Sequence, residues 1–208
     1  MKLFTNPLSG HSHRARLFAS LLGINPEIIE VNLLAGAHKQ PEFLARNPFG
    51  QVPVLEDGEV TLHDSNAILV YLARRYDDNG SWYPQDAENQ ARVQIWLSKA
   101  ANELANGAAA ARLVTVFNAG LDHEAAMARA HTLLGVINDG LQGVNWLVGD
   151  GPTIADVALY SYIAHAPEGG VDLRPYPAVT AWLARIEAME GFLPMQATAT
   201  RAREALAA

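Results

Sequence analysis

The spacing of apolar positions changes near residue 80. Before that point, short runs containing β-branched residues alternate with stretches of helical period; after it, almost all apolar positions recur at three or four residues. In the first part, "KLF" reads as a short strand. "RARLFASLLG" follows as a helix, with Leu17, Phe18, Leu21 and Leu22 on one face and Gly23 at its stop. "EIIEVNL" is a second strand, "LAGAHKQ" a loop, and "PEFLARN" a short helix opened by Pro41. "VPVL" and "EVTLH" form a hairpin turned at Asp57-Gly58. "SNAILVYLARRY" closes this part as a helix with Ile68, Leu69, Leu72 and Tyr76 on one side. The order is β-α-β-α-β-β-α, parallel at its start and antiparallel at its finish.

That order is a thioredoxin-like layout. "DDNGSWYPQD" strings turn formers between two helices and reads as a linker. Beyond it, Val93, Leu97, Ala100 and Leu104 repeat at heptad-like spacing, as do Ala126, Ala130, Leu133, Ile137 and Leu141. In "GDGPTIADVALYSYIAH", Thr153 stands three residues ahead of Asp156, a capping box with a structural role. "YPAVTAWLARIEAMEGF" supplies one more helix before a polar, alanine-rich tail. The expected organisation is a thioredoxin-like α/β domain over residues 1–78, a linker over 79–86, and an all-α helical bundle over 87–208.

Composition narrows the function classes. The chain has 208 residues, half of them hydrophobic, enough for one large core or two small ones. A net charge of −7 and a pI near 5.4 argue against nucleic acid or an anionic membrane as the main partner. "MKLFTNP" lacks the apolar core of a signal peptide, and no apolar run reaches the roughly 18 residues a membrane span needs, so a cytoplasmic location is expected. There is no cysteine, so any thiol chemistry must arrive with a ligand. His11, Ser12 and His13, with His38 and His63 elsewhere, offer no HExxH pattern and no third ligand at diagnostic spacing; no metal is expected.

Two constellations carry chemistry. Pro53 interrupts a strand between Val52 and Val54, where a residue without an N–H is a poor fit. A cis Val52-Pro53 bond at the entry to the third strand accounts for it, and leaves the N–H and C=O of Val52 facing outward, free to grip an extended ligand. An edge strand that merely tolerates proline is the alternative. In "LHDSNAI", a strand ends at His63 and a helix begins near Asp64-Ser65, gathering free N–H groups at a positive helix end that suits a carboxylate. Asp64 adds a negative charge for an adjacent amine, so an α-amino acid head fits both. Ordinary N-capping by Asp64 or Ser65 reads the same residues as structural.

"NPFGQVPVLEDG" followed by "DSNAI", and then "GDGPTIADVAL", carry a resemblance over nearly the whole chain: it resembles a cytosolic glutathione transferase of the serine-type, bacterial or theta-like kind. The resemblance implies that glutathione is the co-substrate, with Val52 (before Pro53) pairing with its cysteinyl part, Asp64 and Ser65 holding its γ-glutamyl head, and Gln51 bordering the groove. It assigns the glycine carboxylate to His38, with Lys39 as a second candidate. The thiol would meet Ser9. Ser12, expected as the N-cap of the first helix, and His11, expected beside the thiol, are the alternates. Lowering a thiol from about 8.5 to about 6.5 needs close to 2.7 kcal/mol, within reach of one hydroxyl hydrogen bond plus a helix N-terminus. Trp96, Asn102 and Arg112 are the candidate acceptor-pocket residues. The resemblance also implies a two-fold homodimer and transfer of glutathione to a small hydrophobic electrophile. Reduction of disulfides or peroxides, and a non-catalytic binding or scaffolding role, are the alternatives.

Overall fold

The computed structural model describes residues 1–198, so the end of the alanine-rich tail, residues 199–208, lies outside the described residues. Four strands form one sheet in the order β2-β1-β3-β4: β1 (Lys2–Thr5), β2 (Glu27–Glu30), β3 (Val54–Asp57) and β4 (Val60–His63). β1 pairs parallel with β2 and antiparallel with β3, and β3 pairs antiparallel with β4 across the Asp57-Gly58 turn.

Side-chain alternation assigns the two faces. Leu3 and Leu55, opposite each other in the ladder, are buried in the main core with α1 (Gly10–Leu21) and α3 (Ser65–Tyr76). Phe4 and Val54 turn the other way and close a smaller core with Val31 and with Phe43 of α2 (Pro41–Leu44). This is the thioredoxin-like half, with helices on both faces of a mixed sheet.

The second half is helical: α4 (Ala87–Lys99), α5 (Ala110–Phe117), α6 (His123–Gly140), α7 (Ile154–Ala164) and α8 (Pro177–Glu187). All residues of α7 are buried, consistent with a helix that packs against α1, α3, α4 and α8 at once. Its capping box forms as expected. Asp156 Oδ2 accepts from Thr153 N at 2.8 Å, and Oδ1 accepts from Trp182 Nε1 at 2.9 Å and from Leu147 N at 3.1 Å. Among the described residues, no helix is long and apolar enough to cross a membrane.

Two features depart from the sequence reading. The heptad-like run through Leu104 is not one continuous α-helix: a wide, π-helical stretch spans Ala100–Ala109, with Gly107 at φ −105°, ψ −107°. The reason is close approach by α6, since a Cβ on Gly107 would lie 3.0 Å from Ala130 N. The linker is also pinned. Trp82 is buried edge-on against Phe18, 5.2 Å between ring centroids, and its carbonyl accepts from Ile154 N at 2.9 Å.

Candidate functional site

The topology brings the two constellations to one end of the sheet's strands. β1 ends at Thr5 and leads into the loop before α1, β3 begins beside it at Val54 after Val52-Pro53, and β4 ends opposite Val54 at His63, just before Asp64.

In the first loop, Asn6 Oδ1 accepts from Leu8 N at 3.1 Å, Asn6 Nδ2 donates to Val31 O at 3.2 Å, and Ser9 N donates to Asn6 O at 3.1 Å. Ser9, in extended backbone at φ −85°, ψ 117°, is the N-cap of α1, and its Oγ accepts from Ser12 N at 3.2 Å. This corrects the expectation that Ser12 caps the helix. Ser12 is fully buried, and its hydroxyl accepts from Asn6 N at 3.2 Å. Ser9 is partly exposed, and its own O–H has no acceptor among the described residues. Gly10 follows because α7 leaves no room: a Cβ there would sit 2.6 Å from the Tyr162 ring.

At the next position, His11 Nδ1 meets Ser65 Oγ at 3.1 Å, with the ring edge-on to Tyr162. Burial and the nearby Arg14 cation lower its pKa to about 3, so this imidazole is neutral at physiological pH. Arg14 is buried and donates through Nη1 to Ser65 Oγ at 2.8 Å and to Asn66 Oδ1 at 2.7 Å. Burial lowers its pKa to about 10, which still leaves it cationic behind the start of α3. Sequence reasoning missed Arg14, although a signal was present: the residue lies three and four positions ahead of Leu17 and Phe18, on the apolar stripe of α1.

Asp64 is the N-cap of α3, its Oδ1 accepting from Asn66 N at 2.8 Å and Ala67 N at 3.0 Å, so the capping reading holds for it. Its backbone sits at φ 72°, ψ 121°, a conformation that costs a non-glycine residue on the order of 1–3 kcal/mol and that clusters at functional sites. Ser65 caps nothing. Its buried hydroxyl faces Arg14 and His11 instead.

Val52-Pro53 is cis, and neither the N–H nor the C=O of Val52 has a partner among the described residues. The preceding loop is held by buried Asn47, which donates to Gln51 O at 2.8 Å and accepts from Phe49 N at 3.0 Å. Gly50, at φ 58°, brings this loop against the His38 carbonyl, 2.8 Å from where a Cβ would stand. His38 is partly buried, with Nδ1 unpartnered among the described residues. Lys39 Nζ donates to Phe49 O at 3.4 Å and Gly50 O at 3.3 Å, and Gln51 is exposed. Among the described residues, no three His, Asp or Glu side chains converge to hold a metal ion.

A cavity of about 390 Å³ is lined by Leu8, the residue before Ser9, by Thr115, Val116 and Phe117 at the end of α5, and by Gln196, Ala197 and Thr198. None of the three expected acceptor residues lines it. Arg112 is 2% exposed and committed elsewhere, to Glu168 Oε2 through Nε at 2.6 Å and to Leu8 O through Nη1 at 2.9 Å. Trp96 packs against the main core, and Asn102 is exposed, accepting from Asn106.

A family model described as "Glutathione S-transferase, N-terminal domain" matches residues 1–74, and one described as "Glutathione S-transferase, C-terminal domain" matches residues 114–190. "Glutathione S-transferase 3" of Zea mays is 34% identical over 92% of this chain and 91% of that protein. The chain belongs to the glutathione S-transferase family. "Glutathione S-transferase theta-2" of Homo sapiens is 29% identical over 92% of this chain and 82% of its own length. A crystal structure of glutathione S-transferase from Pseudomonas fluorescens is 32% identical, covers 94% of this chain and 98% of that one, and superposes with a TM-score of 0.87. The match to the transferase N-terminal domain contains Ser9, Val52 and Asp64, and the match to the C-terminal domain contains Thr115, Val116 and Phe117 of the cavity.

Proposed function

We propose that this transferase lays glutathione along the free Val52 edge, with the γ-glutamyl head at Asp64 and Ser65, and stabilises its thiolate with the Ser9 hydroxyl. The thiolate attacks the electrophilic carbon of a small hydrophobic molecule in the neighbouring cavity, forming a thioether as the leaving group departs or a double bond accepts the electron pair. In this reading residues 1–78 hold glutathione, and the helical half beyond the 79–86 linker supplies most of the acceptor cavity. His38 and Gln51 border the glycine end. Lys39 braces the loop between them.

The observation that carries the reading is Ser9 itself. Its oxygen accepts from Ser12 N, which leaves its proton for an outside acceptor, and it directly follows Leu8, which lines the cavity. Ser12 is buried, and neutral His11 spends Nδ1 on Ser65, so neither competes on geometry. A hydrogen bond to a charged group is worth about 1.5–3 kcal/mol, so Ser9→Ala is expected to raise the apparent pKa of bound glutathione by about 1–2 units. The ultraviolet thiolate band followed against pH measures this, and an unchanged titration would move the role to His11. Thioether formation with chlorodinitrobenzene, set against turnover of a mixed disulfide, separates transfer from reduction. Phe49, 67% exposed beside His63, fits burial in a two-fold homodimer of a cytoplasmic protein, which sedimentation of wild type and Phe49→Ser would test.

A further inference from the structure

Glu168 lies in the 3₁₀ turn Ala166–Gly169 after α7 and is 0% exposed. Its Oε2 accepts from Arg112 Nε at 2.6 Å, and its Oε1 accepts from His165 Nδ1 at 2.9 Å and from Thr198 N at 3.0 Å. The turn can press this closely on α5 because residue 169 is glycine; a Cβ there would stand 2.7 Å from Arg112 N. Arg112 in turn holds Leu8 O, one residue before Ser9. One buried carboxylate is therefore tied at one end to the backbone that presents Ser9 and at the other to the strap of chain at Gln196–Thr198. Leu8 and Thr198 both line the cavity.

We propose that Glu168 is a positioning residue for the acceptor site, latching the Leu8 loop and the C-terminal strap at a fixed separation; this rests on the transferase reading above. The strap has no regular secondary structure, and among the described residues Gln196, Ala197 and Thr198 make no other hydrogen bond. Release of Thr198 frees that wall, and release of Arg112 frees Leu8. Charge explains why a carboxylate is used: three donors converge on two oxygens, a load that a glutamine with one acceptor oxygen cannot carry. Burial pushes the Glu168 carboxyl up, but the bonds from His165, Thr198 and Arg112 outweigh that and hold it at about 2, so the latch stays charged across the working pH range. Among the described residues the Thr198 hydroxyl is buried without a partner, leaving one polar group at the cavity for a bound acceptor.

Glu168→Gln and Thr198→Pro test the latch, the second removing the strap's N–H while leaving the Glu168–Arg112 end of the latch intact. With chlorodinitrobenzene as acceptor, both are expected to raise the acceptor KM about fivefold while the glutathione KM stays within about twofold. Amide exchange is expected to quicken around both Leu8–Ser12 and Gln196–Thr198 in Glu168→Gln, and around the strap alone in Thr198→Pro. An unchanged acceptor KM in a folded Glu168→Gln protein overturns the proposal, as does exchange that quickens evenly over the whole chain. Should Glu168→Gln fail to fold, the acceptor KM of Thr198→Pro decides alone. A wild-type protein that forms no thioether sinks the transferase reading instead, and the exchange pattern then judges the latch by itself.

Discussion

His13 makes the fold sensitive to acid. The residue is 3% exposed on α1, with Nε2 2.7 Å from Leu193 O and Nδ1 2.8 Å from Ser161 Oγ. A carbonyl can only accept, so the proton sits on Nε2 and the bare Nδ1 accepts from the serine hydroxyl. A second proton would create a buried cation with no carboxylate bonded to it among the described residues. Burial accordingly lowers the His13 pKa from 6.5 to about 4. The unfolded chain binds this proton near 6.5 and the folded chain only near 4, so stability is complete above the first value and falls as pH drops toward the second. At 1.36 kcal/mol per unit, a depression of this size removes about 3 kcal/mol, a large share of a typical 5–15 kcal/mol. His11, whose pKa burial lowers to about 3, acts in the same direction and is common to both proteins compared below. Urea unfolding followed by tryptophan fluorescence, at one protein concentration and at about pH 7.5 and about pH 4, measures the loss. His13→Gln keeps a donor for Leu193 and removes the titration. It should be weaker at the higher pH yet lose about 3 kcal/mol less on acidification, with carboxylate effects common to both proteins cancelling. Equal losses in the two proteins would refute the argument.

Three further changes probe separate parts of the molecule. Asp156→Ala strips the acceptor from Trp182 Nε1, Leu147 N and Thr153 N, and is expected to cost more than about 3 kcal/mol in denaturant unfolding; a cost under about 1 kcal/mol would contradict the buried hub. Gly10→Ala pushes a methyl to 2.6 Å from the Tyr162 ring, which should lower stability by about 1–3 kcal/mol and displace Ser9, visible as a lower Tm together with a lower kcat. Asp64→Asn keeps the cap and tolerates φ 72° while removing the charge, so stability should hold within about 0.5 kcal/mol as glutathione affinity, read by calorimetry, falls about tenfold.

The parts of the fold that depend on local rules were legible in the sequence. Asp57-Gly58 announced the hairpin, Thr153 with Asp156 announced the start of α7, and Val52-Pro53 stood out because proline fits badly in a ladder. The unread parts are set by contacts distant in sequence. The helix interruption at Gly107 answers to Ala130, and Arg112 is engaged by Glu168, 56 residues later. Ser9 and Ser12 illustrate the limit at the site: both can cap a helix, and only the position of Asn6 N decides which hydroxyl turns inward.

Trp82 gives the connector between the halves an unexpected weight. With its ring wedged on Phe18 and its carbonyl tied to the start of α7, both halves share one continuous core, which predicts a rigid jig rather than a pair of jaws. Loading and release are then expected to involve the loops at the rim rather than a swing of one half against the other.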